Sequence, residues 1–430
     1  MDDILLEKRT VRKVFRRLLP FLGLLYIVAF LDRVNVGFAA LSMNKDLGFS
    51  NAIYGFGAGI FFIGYFLMEV PGNLIMAKVG ARLWIARILI TWGIISGLTA
   101  WVSTPMQFYV LRFLLGVAEA SFFPGIIYYL STWSRSRDQA KSVAFFMMSL
   151  PVCNMLAAPL SAYLLGITWL GWAGWKWLFI LEAIPSLILG IVTPFYLTNR
   201  PEDARWLSDE ERNWLSGKLA EERAAKRQRN HYTLLQALSD RDVLILSGIY
   251  FAWVCGFYGV TLFLPILVKA LSSGLSNQMV GFLVMVPYIF GFFAMYFIGR
   301  HSDKTGERRY HTVAGMLTGA IGLAGSVVLA ETSIPVSMFF FTVAVMGIYG
   351  SFGPFWSIPA SFLTTTAAAG AIAMINSIGN LGGFAGPYVL GFIRDLTGSF
   401  NGGIVFLVAC LLAAAILIML LHKAGERTAH

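Results

Sequence analysis

Residues 26–41 read YIVAFLDRVNVGFAAL, with Asp32 and Arg33 side by side in the middle of an apolar run. Such a run reads as the inside of a membrane helix. Even on the mild insertion scale, each central charge there costs about 2.5–3.5 kcal/mol. Adjacent helical residues point about 100° apart. Asp32 and Arg33 therefore need separate partners, supplied by other helices or by water. Intramembrane ionisable residues are functional candidates by default; the structural alternative is an ion pair that locks helices together.

The surrounding chain gives the same reading. Of 430 residues, 57% are hydrophobic and only 13% charged, where a soluble domain carries about 25%. Apolar runs of bilayer length, about 20 residues as helix, recur from end to end. The alternating segments of about ten residues that a membrane barrel needs are missing. The expectation is an all-α membrane protein with twelve spans, near 17–42, 52–77, 82–102, 106–131, 140–166, 175–198, 243–270, 278–300, 310–330, 334–360, 364–392 and 400–422. The first apolar run follows a basic segment and lacks a small-residue cleavage site, so it reads as a span and not as a secretory signal. Cys153, Cys255 and Cys410 all fall in apolar runs and read as packing residues, not as disulfide or zinc ligands.

The net charge of +10 is a topology signal. Lys8, Arg9, Arg12, Lys13, Arg16 and Arg17 precede span 1. Lys78 and Arg82 follow span 2, and Arg135, Arg137 and Lys141 follow span 4. Arg300, Lys304, Arg308 and Arg309 follow span 8, and Lys423 and Arg427 end the chain. The long loop after span 6 is rich in both Lys and Arg, and the loops on the opposite side hold little beyond Lys45, Lys176, Lys269 and Arg394. Basic loops stay in the cytoplasm. Both termini are thus expected inside, the charge being a topology signal and not a nucleic-acid surface.

One long polar segment, 199–242, divides the spans six and six. Residues 1–198 and 243–430 form the expected halves. In the linker, Ser208 and Glu211 have capping-box spacing, so a helix is expected from near Asp209. Trp214, Leu215 and Leu219 give it a narrow apolar stripe, as on an interfacial or surface helix. The basic turn AKVGAR after span 2 and GRHSDKTGERR after span 8 place Gly80 and Gly306 at the same step of each half. Parallel six-helix repeats are a transporter architecture with the substrate near the midplane.

Span 4, VLRFLLGVAEASFFPG, supplies matching charges. Arg112 and Glu119 are seven apart, on one helix face, about 10 Å apart along the axis. An anion that takes over an arginine leaves a carboxylate unpaired and favours its protonation, which would link anion and proton binding. Tyr65 is deep enough in span 2 to donate to a substrate. Glu69, one turn later on the same face, reads as a residue that snorkels or caps basic turns. Span 10 carries Gly347, Gly350, Gly353, Pro354 and Pro359 around an expected break, followed by Trp356 and Ser357. Span 11 places Asn376 and Asn380 one turn apart. Close helix packing and an interhelical hydrogen bond are the structural alternatives for the glycines and for the asparagines. His301 reads as a solvated loop residue. No nucleophile elbow, phosphate loop, metalloprotease helix or flavin fingerprint appears, so neither an enzyme nor a metal site is expected.

The segment GRHSDKTGERR resembles the signature loop of the major facilitator superfamily through Gly299, Asp303, Lys304, Gly306 and Arg308. In the first-half copy, Asn73 and Ala77 stand where the glycine and aspartate would be. More narrowly, FLDRVNVGFAAL, LRFLLGVAEASFFPG and RPEDARWLSDEE together resemble the anion:cation symporter family, whose members move organic acids. The resemblance implies that Asp32, Arg33, Arg112 and Glu119 handle proton and anion, and that Tyr65, Trp356 and Asn380 contact substrate. Sugar-acid members carry a glutamine where this chain has Leu150. The EVPGN segment and the linker are similar to the tartrate and hydroxyphenylacetate branch.

The resemblance implies a monomeric importer of a small organic carboxylate, seated in the lipid bilayer of a bacterial inner membrane, with protons as coupling ion and no other cofactor, working by alternating access. Arg112 is expected to bind the carboxylate. Asp32 and Glu119 exchange the proton, with Arg33 switching partners between them, and Tyr65, Trp356, Asn376 and Asn380 shape the pocket. A sodium-coupled symporter, an anion exchanger and a membrane ligand sensor are the alternatives.

Overall fold

The computed structural model describes residues 2–227, 241–271, 274–329, 333–362 and 365–421. The linker stretch 228–240 and the basic residues Lys423 and Arg427 of the tail lie outside them. The described residues are helical almost throughout. Before the linker stand α1 (Asp2–Leu47), α2 (Asn51–Val79), α3 (Ala81–Leu98), α4 (Pro105–Glu119), α5 (Phe122–Trp133), α6 (Ser136–Met147), α7 (Ser149–Leu164) and α8 (Gly174–Tyr196). The linker contributes α9 (Asp209–Arg227). After it come α10 (Arg241–Ala270), α11 (Asn277–Thr305), α12 (Arg309–Val328), α13 (Ile334–Gly350), α14 (Phe352–Phe362), α15 (Thr365–Asn380), α16 (Gly382–Thr397) and α17 (Asn401–Leu420).

Among the described residues, eleven helical segments are long and apolar enough to cross a membrane. The expected eleventh span, 364–392, is the exception, because it is cut at Leu381 into α15 and α16, each 16 residues long. Leu381 keeps right-handed helical angles, so the two pieces follow one another as a broken span. Span 4 is also broken, after Glu119. Proline at 124 lacks an N–H and its ring clashes with the carbonyl four residues earlier, and the chain resumes as α5 only after Ser121 turns at φ 74°. Span 10 breaks between α13 and α14, at Ser351.

Burial separates central from peripheral helices. The best membrane window of α10 is 89% buried, against 39% for those of α8, α11 and α17. The long α1 also lies inside and packs on α7, α8 and α10. It runs unbroken from the basic segment into the first span. Its first 15 residues therefore form helix, about 22 Å long, ahead of the span.

The linker helix starts as the spacing requires. The Glu211 N–H donates to Ser208 Oγ at 3.2 Å, and the Ser208 N–H donates to Glu211 Oε2 at 2.9 Å. Of the two expected settings, interfacial or surface, its contacts are those of a surface helix packed on protein. Leu215 and Leu219 are buried, Arg135 lies 5.1 Å over the Trp214 ring, and Glu211 pairs with Arg9 at 3.0 Å and Lys13 at 2.8 Å. The apolar stripe is covered by protein, not by lipid. Burial pushes the Glu211 carboxyl up, but the hydrogen bonds from Lys13 and the Ser208 N–H, with the Lys13 and Arg9 charges, hold it below its ordinary value.

The N-terminal and C-terminal helices meet most tightly on the face opposite the basic loops. A Cβ on Gly55 of α2 would sit 2.4 Å from the Pro387 carbonyl oxygen of α16, and one on Gly281 of α11 would sit 2.7 Å from that of Ala158 in α7. Only a residue without a Cβ allows these backbone contacts. At the same face, Asp395 accepts from the Asn51 and Ala52 N–H groups at 3.1 and 2.7 Å, holding the end of α16 on the start of α2.

Candidate functional site

Asp32 and Arg33 diverge as adjacent helical residues must. The Arg33 guanidinium points into the centre of the molecule. Its Nη2 is paired with Glu119 Oε1, its Nη1 donates to the Tyr258 hydroxyl at 2.7 Å, and its Cζ lies 5.4 Å over the Tyr65 ring. Asp32 points away, into the N-terminal helices, and is held by neutral donors. Its Oδ2 accepts from Trp92 Nε1 at 2.7 Å and Ser186 Oγ at 2.6 Å, and its Oδ1 accepts from Ser96 Oγ at 3.0 Å. Of the two carboxylates between which Arg33 is expected to switch, Glu119 is its partner in this conformation, and Asp32 is held by other helices without an arginine.

Arg112 and Glu119 share α4, and Glu119 is its last residue, directly before the break. Arg112 is buried. Its Nη2 donates to the Ala58 carbonyl at 3.4 Å and its Nε has no hydrogen-bond partner. Arg33 and Arg112 lie over the same Phe61 ring, at 5.2 and 5.3 Å.

The central cavity lies between the two sets of helices. Tyr65, Trp356, Asn376 and Asn380 all line it, together with Tyr26, Phe30, Leu150, Tyr250, Phe257 and Tyr258. Arg33 is the one charged residue in its lining among the described residues; Arg112, expected to bind the carboxylate, does not line it. The reason is geometric, since the Arg112 side chain is spent on α2 carbonyl and ring contacts. The cavity measures only about 40 Å3, far below the roughly 300–1,000 Å3 of a small-molecule pocket. This conformation is closed around the site, and a ligand can enter only when helices move.

Glu69 is not a snorkelling residue. It is 3% exposed and accepts from Asn376 Nδ2 at 2.6 Å and Ser377 Oγ at 2.8 Å. A carboxylate on α2 thereby clasps α15, closing the cavity on the basic-loop side. Glu182 on α8 was missed from the sequence. It is buried, its Oε1 accepts from Ser161 Oγ at 2.7 Å, and its Oε2 has no partner. The signal was available in FILEAIPSLILG, an acid alone in an apolar run. Tyr258 and Tyr26 carried no such signal, because aromatics are ordinary in membrane helices.

In the turn after α11, Arg308 pairs with Asp303 at 2.6 Å and donates to Ser302 Oγ at 3.0 Å. Gly306 caps α11 at φ 70°, a left-handed turn that suits glycine. A Cβ on Gly299 would meet nothing within 4 Å, and Lys304 lies in the last turn of α11. His301 is engaged rather than merely solvated, with its Nδ1 2.6 Å from His311 Nε2. Glu307 caps α12 through the Tyr310 and His311 N–H groups. Burial pushes its carboxyl up, but these bonds, with that to the His311 ring, hold it below its ordinary value. Among the described residues no group of three or more His, Cys, Asp and Glu is placed to hold a metal ion.

A model of the Major Facilitator Superfamily matches residues 22–387. The chain belongs to this superfamily. Its members are transporters, and this chain is a multi-pass membrane transporter, not an enzyme. Among similar superfamily proteins, a "Putative tartrate transporter" of Agrobacterium vitis is 52% identical over 419 residues, spanning 97% of this chain and 96% of its own. A "Quinolone resistance transporter" of Acinetobacter baumannii is 40% identical over 422 residues, spanning 98% and 96%. In fold, the chain resembles a D-xylose-proton symporter with a TM-score of 0.75 at 16% identity, over 96% of this chain and 99% of that one. The resemblance to the anion:cation symporter family and its tartrate branch is thus consistent with the curated relatives.

Proposed function

We propose that this protein imports a small organic carboxylate together with protons across a bacterial inner membrane, with both termini in the cytoplasm. The observation that carries this reading is the placement of Arg33. One guanidinium faces the cavity, already paired with a carboxylate that an incoming anion would displace. The substrate carboxylate takes the place of Glu119 on Arg33, in the planar geometry a guanidinium offers. Glu119 then loses its counter-ion in a desolvated site, which favours its protonation. Arg112, buried on the same helix without a carboxylate partner among the described residues, is the alternative partner for an ionised Glu119. Binding of the anion and uptake of the proton thereby become one event. Asp32 is the second proton carrier, reporting to the same helix as Arg33 from its other side.

Asn376, Asn380, Tyr65 and Tyr258 are suited to hydroxyl and second-carboxylate groups, which fits a hydroxy acid such as tartrate. Residues 1–198 and 243–430 move as two units about the site in this reading, and the 199–242 segment joins them. The turn of Gly299, Asp303, Lys304, Gly306 and Arg308 acts as a latch between conformations, and the working unit is a monomer. Measuring labelled tartrate uptake into proteoliposomes tests it. An inward proton gradient should drive accumulation and an ionophore should abolish it. Full accumulation with sodium alone at equal pH would favour sodium coupling, and exchange without accumulation would favour an exchanger.

A further inference from the structure

A second cavity lies far from the transport site, at the basic end of α1. It measures about 710 Å3 and is lined by Leu5, Tyr196, Trp206 and six cations: Lys8, Arg9, Arg12, Lys13, Arg16 and Arg17. This is an unusual density of charge for one cleft. Arg9 and Lys13 are neutralised by Glu210 and Glu211 on α9. The other four have no carboxylate within ion-pair distance among the described residues. Arg17 is fixed in place, with its guanidinium 4.8 Å over Tyr196 and 5.0 Å over Trp206. The Tyr196 hydroxyl donates to the Arg17 carbonyl at 3.0 Å, and Arg17 Nε is buried without a partner.

What lies beside the cleft is apolar. Lys13, Arg17, Pro20 and Leu24 fall on one stripe of α1 by helical spacing. Along that stripe the chain changes from cationic to apolar, and Pro20 and Leu24 are exposed. On α8, Val192 shares a face with Tyr196, one turn away, and is also exposed. The α1–α8 groove therefore offers fixed cations at one end and bare hydrocarbon surface beyond them.

We infer that this cleft is a binding site for an anionic phospholipid, with its phosphate among Arg12, Arg16 and Arg17 and an acyl chain along Pro20, Leu24 and Val192. A free phosphate compound would use the cations alone and leave the apolar half of the groove without a role. The site stands apart from the transport cavity and does not depend on which substrate is carried.

The test is lipid binding to the purified full chain in detergent, followed by native mass spectrometry and thermal shift. The probes are cardiolipin, phosphatidylglycerol, phosphatidylethanolamine and inorganic phosphate. Each basic residue near an anionic lipid surface is worth about fivefold in affinity. Arg12→Gln/Arg16→Gln/Arg17→Gln should therefore weaken binding of the anionic lipids about a hundredfold. Lys78→Gln/Arg82→Gln/Arg300→Gln, which removes equal charge from other basic turns, should leave it nearly unchanged. Arg12→Gln alone, at an exposed position, should weaken it about fivefold, which keeps the test usable should the triple variant not fold. Equal loss in the control variant would reduce the effect to net charge. Equal stabilisation by inorganic phosphate would make this a free-anion site, and equal binding of phosphatidylethanolamine would remove the site altogether. Any of these three results overturns the inference.

Discussion

Asn376 donates to the Glu69 carboxylate at 2.6 Å, joining residues 307 positions apart in the chain. With Ser377 at 2.8 Å, this clasp bridges the N-terminal and C-terminal helices on the basic-loop side of the cavity. Hydrogen bonds to a charged group are worth about 1.5–3 kcal/mol. Glu69→Gln retains the shape but turns an amide N–H2 toward one of two donors. It should open the basic-loop side in a larger share of molecules. Distances between spin labels placed on the ends of α2 and α15 on that side should lengthen, and an unchanged distribution would show that the clasp does not set the conformation.

Arg33→Lys retains the charge and removes the planar fork. Substrate affinity should fall by at least about tenfold, the equivalent of one lost charge-assisted hydrogen bond. Arg112→Lys should lower transport with a smaller effect on affinity, because Arg112 does not line the cavity. Isothermal titration of both variants separates the two arginines. The reverse ranking would return the anion-binding role to Arg112.

Asp32→Asn places an amide N–H2 among Trp92, Ser96 and Ser186, all of which donate to the wild-type carboxylate. The mismatch should lower stability by about 1–3 kcal/mol, which a thermal melt in detergent will read. The folded variant should still bind its anion and fail to accumulate it against a gradient. Uphill transport at wild-type rate would make Asp32 a structural residue.

The Glu211 carboxyl is held below its ordinary value of 4.5 in the folded protein. A carboxylate with a depressed folded value contributes stability that is fully present above the unfolded value and lost as pH falls through the folded one. The Arg9 and Lys13 partners are exposed, so the contribution is modest, about 1 kcal/mol or less. Glu211→Gln should melt earlier than wild type at pH 7, and the gap should close as pH drops below 4.5. A gap that persists in acid would assign the loss to the capping box alone.

Much of this protein was written in its sequence by itself. Hydrocarbon length and the cost of unpaired backbone groups leave few choices, so apolar runs of bilayer length announce helices, and basic loops announce a common face. The capping residues Ser208 and Glu211 act over one turn, and local chemistry alone placed that helix start. Asn376 and Asn380 stood out as amides in an apolar run, Tyr65 and Trp356 through the family resemblance, and all four line the cavity. Which charge meets which was decided only by the tertiary structure. Asp32 and Arg33 are neighbours in sequence, but the 100° between successive helical side chains sends one to Trp92 and the other to Glu119. Glu69 looked peripheral because its partners, Asn376 and Ser377, lie more than 300 positions away. Arg112 has the residue type and face of an anion ligand, and in this closed conformation it rests on Ala58 and Phe61, outside the cavity lining. Side-chain type and spacing set what a residue is able to do; the packing of helices from distant parts of the chain chose its partner.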